Sequence, residues 1–391
     1  MAEYKETVFD EVIDRRGTNS YKWDHAGGDD VIAMWVADMD FRTAPGIVDA
    51  LRRRVEHGVF GYVSVPQSYY EAVVGWFGSQ HGWDIAPEWI QYTSGVVPAI
   101  SAVVKALTMP GDRVAVLTPV YNCFFSSIRN NGCQVEECPL IYDENTYRID
   151  FEDLERRLAR TDVKVLLFCN PHNPAGRVWT RRELLQVAEL CHRHGVVIIS
   201  DEIHCELVMP GHRFTPLASV SQQAQQITIT CNSPSKSFNI AGLQIANIIT
   251  PHAQWRDRID RAININEVCD VNPFGVEAVQ AAYSPSGARW LDELNTYLHG
   301  NYEVLCGHFS EHLPHLPVTT LEGTYLVWVN IAVLGHTSDH VAGRLLRDAR
   351  VAVNSGTMYG ASGEGFIRLN MALPRTRLLE ALARITPVLQ W

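Results

Sequence analysis

Three short apolar runs set the strongest constraint on what this chain can fold into: VKVLLFC (163–169), VVIIS (196–200) and ITITC (227–231). Each is near-continuously apolar or β-branched, so each reads as a strand buried on both faces rather than one with a wet side. The stretch between the first two, TRRELLQVAELCHRHG, has helical spacing, with Thr180 placed as N-cap and Gly195 as stop. Strands alternating with helices from roughly residue 90 to 250 predict an α/β domain whose parallel sheet is covered on both faces.

In such sheets ligands gather at the carboxyl ends of the strands. The polar residues of this chain fall there. Asn170, His172 and Asn173 follow the first run, Asp201, Glu202 and His204 the second, and Ser233, Ser235 and Lys236 the third. Each alone has an ordinary explanation, since Asn-Pro is a turn signal, an aspartate after a strand often caps a helix, and lysines are usually solvated. On consecutive strand ends they deliver an amide, an acid and an amine to one rim.

An amine that forms a Schiff base must be partly neutral, and therefore sits in a dry or cationic setting. Pyridoxal phosphate (PLP) employs such a lysine, its ring being an electron sink for a carbanion at the substrate Cα. Lys236 is the candidate amine, Asp201 the partner that keeps the ring nitrogen protonated, and Asn173 the amide donor to the ring 3-oxygen. The phosphate needs N–H groups at a helix start, which TSGVVPAISAVVKAL offers at Gly95, Val96 and Val97, and hydroxyls, which Ser233 and Ser235 offer. Tyr121, in TPVYNCFF, follows another apolar run and is placed to stack on the ring.

The rest of the chain narrows the alternatives. At 391 residues it exceeds one hydrophobic core, so a large domain at 46–284 and a smaller α+β domain at 1–45 plus 285–391 are expected. In the latter, RWLDELNTYLHGNYEVLCGHF reads as a long helix, with GTYLVWVNI and FIRLN as strands. A net charge of −11 argues against nucleic-acid and anionic-membrane partners. No apolar run approaches the roughly 18 residues of a spanning helix, and the charged start MAEYKETVFDEVIDRR lacks a signal-peptide core, so a cytoplasmic location is expected. The nine cysteines are scattered without a C-x-x-C pair, as befits reduced thiols, and CHRHG reads as helix-end cations; no metal is expected.

NPHNPAGRVWT, SDEIHCEL and SPSKSFNIAGLQ, in this order and spacing, resemble the fold-type-I PLP enzymes of the class I/II aminotransferase superfamily. FDEVIDRRGTNSYKWD and MWVADMDFRTAP narrow the resemblance to the MalY/PatB group of cystathionine β-lyases, or C–S lyases, over essentially the whole chain. It implies the PLP-dependent transferase fold, with a mostly parallel seven-stranded sheet. It also implies Lys236 as Schiff-base lysine and general base, Asp201 as ring-nitrogen partner, Asn173 on the 3-oxygen, Tyr121 as stacking ring and Arg368 as clamp for the substrate α-carboxylate. Tyr62, in FGYVSVP, matches a tyrosine that reaches the cofactor phosphate of the neighbouring subunit, which implies a homodimer with shared sites.

Two positions depart from many aminotransferases of the superfamily. Gln244 stands where an arginine binds phosphate, and His204 where a tyrosine contacts the cofactor. The expected activity is α,β-elimination from an L-cysteine S-conjugate, cystathionine foremost, with Tyr62 or Tyr121 as proton donor to the leaving sulfur. The enzymatic alternative is a transaminase, and a regulatory protein partner is a further expectation from the group. ININEVCDVNPFG, around Asn272, and WVADMDF are candidate walls of the substrate pocket.

Overall fold

The computed structural model describes residues 7–143, 145–265 and 270–390. At its centre lies a seven-stranded sheet of β1 (Ile90–Thr93), β2 (Arg113–Thr118), β3 (Gln134–Pro139), β4 (Val163–Cys169), β5 (Val197–Asp201), β6 (Thr228–Asn232) and β7 (Ala246–Ile249). Their order is β1-β7-β6-β5-β4-β2-β3. Strand β7 is antiparallel to both its neighbours, and every pair from β6 across to β3 is parallel.

The three apolar runs are β4, β5 and β6, adjacent in the sheet. Val165 and Leu167 join an apolar cluster with Val103 and Phe124, whereas Leu166 and Phe168 join another with Leu184 and Val187. In β4 and β5 successive side chains thus enter dry cores on opposite faces, and in β6 Thr228 and Thr230, which alternate with the apolar residues, are buried as well. Helices α1 (Val96–Leu107) and α2 (Asn122–Arg129) supply the first cluster, and α3 (Arg181–Arg193) the second.

The ends of α3 follow from its sequence. The Glu183 N–H donates to Thr180 Oγ1 at 3.3 Å while the Thr180 N–H donates to Glu183 Oε2 at 2.8 Å, a reciprocal capping box. Gly195 takes a φ of 67°, a left-handed turn that suits a residue without Cβ. His192 and Arg193 occupy the last turn, against the negative end of the helix.

Beyond the large sheet come α4 (Pro285–His312), a three-stranded antiparallel sheet of β8 (Leu326–Asn330), β9 (Asn354–Ser355) and β10 (Phe366–Asn370), and α5 (Arg375–Leu389). Strand β10 is central, so Arg368 pairs with Trp328 on one side and Asn354 on the other. One apolar cluster runs from Trp76 and Phe238 through Trp290 and Leu294 to Leu326 and Ile367, giving the two sheets a shared core. No helix among the described residues is long and apolar enough to cross a membrane.

Residues 35–41 are held by side chains of the three-stranded sheet and of the loop after β6 that bind their carbonyls. Asn354 and Arg368 donate to Trp35 O at 3.0 and 2.7 Å, and Asn370 donates to Val36 O and Asp38 O at 2.6 Å each. From the loop that follows β6 Asn239 donates to Met39 O at 2.9 Å and Phe41 O at 2.8 Å. Polar side chains here satisfy loop backbone that would otherwise be buried without partners.

Candidate active site

A cavity of about 190 Å³ opens at the carboxyl ends of the strands, lined by Gly95, Val96, Val97, Tyr121, Asn173, Asp201, His204, Ser235 and Lys236 among others. Strand register explains the arrangement: Asp201, the last residue of β5, lies level with Cys169 of β4 and Cys231 of β6, and the loops leaving those strands carry Asn173 and Lys236. Asp201 is buried, and its Oδ1 accepts from the Ile203 N–H at 3.1 Å. Burial pushes its carboxyl up to about 7, with the Ile203 N–H and the Lys236 charge pulling the other way. It is an acid in want of a cation.

The Lys236 Nζ donates to the Ala37 carbonyl at 2.7 Å, and the Tyr325 hydroxyl donates to the same oxygen at 2.9 Å. Burial lowers the lysine below its ordinary range; Asp38 opposes this and Arg368 adds to it. Resting on a neutral carbonyl, the amine is held in place without a carboxylate fixing its charge.

Arg368 has the opposite deficit to Asp201. It is buried, donates from Nη2 to Trp35 O and from Nη1 to Asn173 Oδ1 at 3.1 Å, and lies over the Tyr359 ring at 4.9 Å. Its Nε has no hydrogen-bond partner, and no carboxylate pairs with the guanidinium among the described residues. A buried cation without an anion is costly unless a ligand brings one.

His204 is buried and its Nδ1 is unpartnered. Burial pulls the imidazole down to about 3, helped by Lys236 and Arg368, so it is neutral at ordinary pH. Burial raises the Tyr121 hydroxyl, which therefore stays protonated. At the other end of the cavity α1 begins, and the first-turn N–H groups of Val96 and Val97 have no partner within the helix. Together these groups fit PLP: an anion seat beside Ser235, an amine, a carboxyl lacking a cation and an orphaned imidazole nitrogen.

Some expected residues lie elsewhere. Ser233 is a correction: it is buried away from the cavity, its hydroxyl donating to the Ile245 carbonyl at 2.5 Å and accepting from the Ser235 N–H at 3.1 Å, which leaves no seat for a phosphate. Tyr62 is 93% exposed and is not brought to the cavity of its own chain. Gln244 is exposed in a left-handed turn at φ 52°. Residues 266–269 of ININEVCDVNPFG lie outside the described residues, and Asn272 caps the helix Pro273–Ala282 while donating to Leu243 O at 2.6 Å. From WVADMDF, Ala37 does line the wall.

Sequence reasoning missed Tyr325 and Tyr359, which support Lys236 and Arg368 through a shared carbonyl and a ring face. Tyr325 stood in GTYLVWVNI, legible only as strand. His81, Cys205 and Glu206 place potential ligand atoms within 4.8 Å of one another. Their geometry is that of an ion pair: His81 Nε2 lies 2.9 Å from Glu206 Oε1, and the Trp76 indole donates to the same oxygen at 2.6 Å.

The sequence model of the family "Aminotransferase class I and II" matches residues 29–385. Cystathionine beta-lyase PatB of Bacillus subtilis is 42% identical over 385 residues, 97% of this chain and 99% of that protein. Cystalysin from Treponema denticola, whose structure contains a pyridoxal 5'-phosphate cofactor, superposes with a TM-score of 0.95 at 34% identity over 98% of each chain. The PLP-bound C–S lyase from Staphylococcus hominis does so with a TM-score of 0.91 at 33% identity, covering 97% of this chain and 98% of that one. The chain belongs to the aminotransferase class I and II family, with the PLP-dependent transferase fold, and within it to the cystathionine β-lyase group that includes PatB.

Proposed function

We propose that this chain is a PLP-dependent C–S β-lyase that splits L-cysteine S-conjugates, L-cystathionine foremost, into thiol, pyruvate and ammonia. The observation that carries the reading is one constellation: Lys236 on a neutral carbonyl and Asp201 lacking a cation line the cavity, and Arg368, lacking an anion, is bonded to Asn173 of its wall. PLP would be held by Lys236, Asp201, Asn173, Tyr121, Ser235 and the N–H groups of Val96 and Val97. When bound it supplies an electron sink for charge at the substrate Cα.

Arg368 seats the substrate α-carboxylate in its planar fork, which ends its own isolation. Lys236, with basicity lowered by burial, takes the Cα proton as general base near neutral pH. Asp201 would hold a proton at the ring nitrogen of bound PLP, and that cation would offset the cost of its own buried charge. The Cβ–S bond breaks and the thiolate leaves. Tyr121 of the cavity, or Tyr62 delivered across a homodimer, returns a proton to the sulfur. The aminoacrylate takes up water and yields pyruvate and ammonia.

The test is the purified, PLP-loaded protein with L-cystathionine and no keto acid, measuring pyruvate and free thiol. Catalytic release of both is the expected result. Turnover only in the presence of a keto acid, with the cofactor converted to its pyridoxamine form, would make the enzyme a transaminase.

A further inference from the structure

Asp38 follows the residue whose carbonyl supports Lys236, and of the charges around that amine it acts most strongly. Its carboxylate favours the ammonium form, against burial and Arg368; Asp201 and Cys123 pull the same way as Asp38, less strongly. The other groups facing the lysine are neutral: the Tyr325 hydroxyl on the shared carbonyl and the His204 imidazole, itself held uncharged. A carboxylate beside a Schiff-base lysine works against it, because that amine must be partly neutral.

The N-terminal segment restrains this carboxylate. Arg15 grips Asp38 in a bidentate fork, Nη2 to Oδ2 at 2.7 Å and Nη1 to Oδ1 at 3.2 Å. The same Nη1 donates to Asp40 Oδ1 at 2.7 Å and to the Met39 carbonyl at 3.0 Å. From the short helix Tyr21–Asp24, Lys22 Nζ donates to Asp40 Oδ2 at 3.0 Å and to the Asp38 carbonyl at 3.2 Å, and stands 3.5 Å from Asp38 Oδ1. Two cations thus meet two anions, Lys22 and Asp40 fully buried, Arg15 and Asp38 partly open.

Four clustered charges are a costly way to hold a loop, since apolar packing of similar volume often does so as well or better. The backbone of 35–41 is secured in any case by Asn239, Asn354, Arg368 and Asn370. What charge alone supplies is compensation: with Arg15 and Lys22 present, the two carboxylates behind Ala37 are balanced. Neither Arg15 nor Asp38 lines the active-site cavity; Arg15 borders a separate recess of about 130 Å³.

We propose that Arg15 is a positioning residue for the reaction: by pinning Asp38 and cancelling its charge, it keeps that carboxylate from gripping Lys236, and it does so from outside the cavity. The role serves lyase and transaminase chemistry alike, since both need the free amine.

The experiment is brief exposure of the full-length, cofactor-free protein to acetic anhydride at roughly pH 6 to 11, a range that brackets the ordinary lysine value, with Lys236 acetylation read by mass spectrometry. Only the neutral amine reacts, so the midpoint of labelling reports its protonation. In wild type that midpoint should lie below the ordinary lysine value. Arg15→Gln, which leaves Asp38 uncompensated, should raise it by about one pH unit, and Asp38→Asn should lower it by about half a pH unit. In the Asp38→Asn background, Arg15→Gln should move the midpoint less than about half as far as in wild type. Arg15→Lys keeps the charge and should stay within about half a pH unit of wild type, which controls for any loss of stability in the Gln variant.

A loosened loop that merely admits water would raise the midpoint in every variant, Asp38→Asn included, and that common rise would overturn the proposal. So would an unmoved midpoint in Arg15→Gln, a Lys variant displaced as far as the Gln one, or an equal step for Arg15→Gln in both backgrounds. The labelling needs neither cofactor nor substrate, so its failure and the failure of the lyase assay are separate results.

Discussion

Arg368 and Asn173 are joined by a 3.1 Å hydrogen bond from Nη1 to Oδ1, which links the central strand of the small sheet to the loop leaving β4 of the large one. The cation that would take a substrate carboxylate is thus positioned by the same amide that would face a cofactor oxygen. Substrate seat and cofactor seat share a part.

Arg368→Ala should therefore cost more than a contact. Loss of a buried carboxylate partner predicts a fall in kcat/KM of about a hundredfold, near 3 kcal/mol, carried largely by KM. A variant within about threefold of wild type would disprove the assignment.

Lys236→Ala should abolish pyruvate release, since general-base catalysis alone is worth about 10² to 10⁴ and this amine also anchors the cofactor. Single-turnover assays with L-cystathionine would read it. Turnover above about a hundredth of wild type would rule the lysine out as base.

The pH behaviour of Asp201 can be read from stability. Its folded-state value is raised from 3.8 to about 7, so the folded protein holds the proton more tightly than the unfolded chain does. The contribution is complete below the unfolded value and is lost as the pH rises through the folded one. In cofactor-free protein, Asp201→Asn should melt above wild type, with a gap that widens between about pH 4 and about pH 7 and levels off above. A gap that is flat or narrows over that range would contradict the burial of the carboxyl. Adding PLP should stabilise the wild type more than the Asn variant, which keeps the lysine and the phosphate seat but lacks the ring-nitrogen partner.

His204 is neutral throughout the working range, its imidazole being held down at about 3. His204→Asn should therefore leave the shape of the kcat/KM pH profile unchanged even where it lowers the rate. A limb that disappears from the profile would show that the imidazole titrates during turnover.

Thr180→Ala removes one half of the capping box at the start of α3 and should cost about 1 kcal/mol of stability, seen as a lower denaturant midpoint with unchanged kcat.

Much of this was legible in the chain. Strands β4, β5 and β6 announced themselves because both faces of each are buried, and the ends of α3 because Thr180 and Gly195 each do one local job. Asp201, Asn173 and Lys236 followed from being next to strand ends. Ser233 was misplaced because proximity to Lys236 in sequence does not say which way a hydroxyl turns, and here the Ile245 carbonyl takes it. The wall made by Ala37 was visible only as a weak hint, since its contact with Lys236 spans 199 positions and depends on how loops meet. Tyr325 and Tyr359 belong to the same class: their roles lie in which carbonyl or guanidinium they touch. No local pattern encodes that.

The fixing of residues 35–41 by Asn370 has a consequence in time. By the end of β7 a ribosome has delivered the large sheet, the lysine and its acid, yet the carbonyl on which Lys236 rests is secured by Asn370 through its neighbours Val36 and Asp38. The first tenth of the chain waits for the last. A nascent protein of this design stays inert until its synthesis is nearly finished, and a truncated product carries the amine without the frame that aims it.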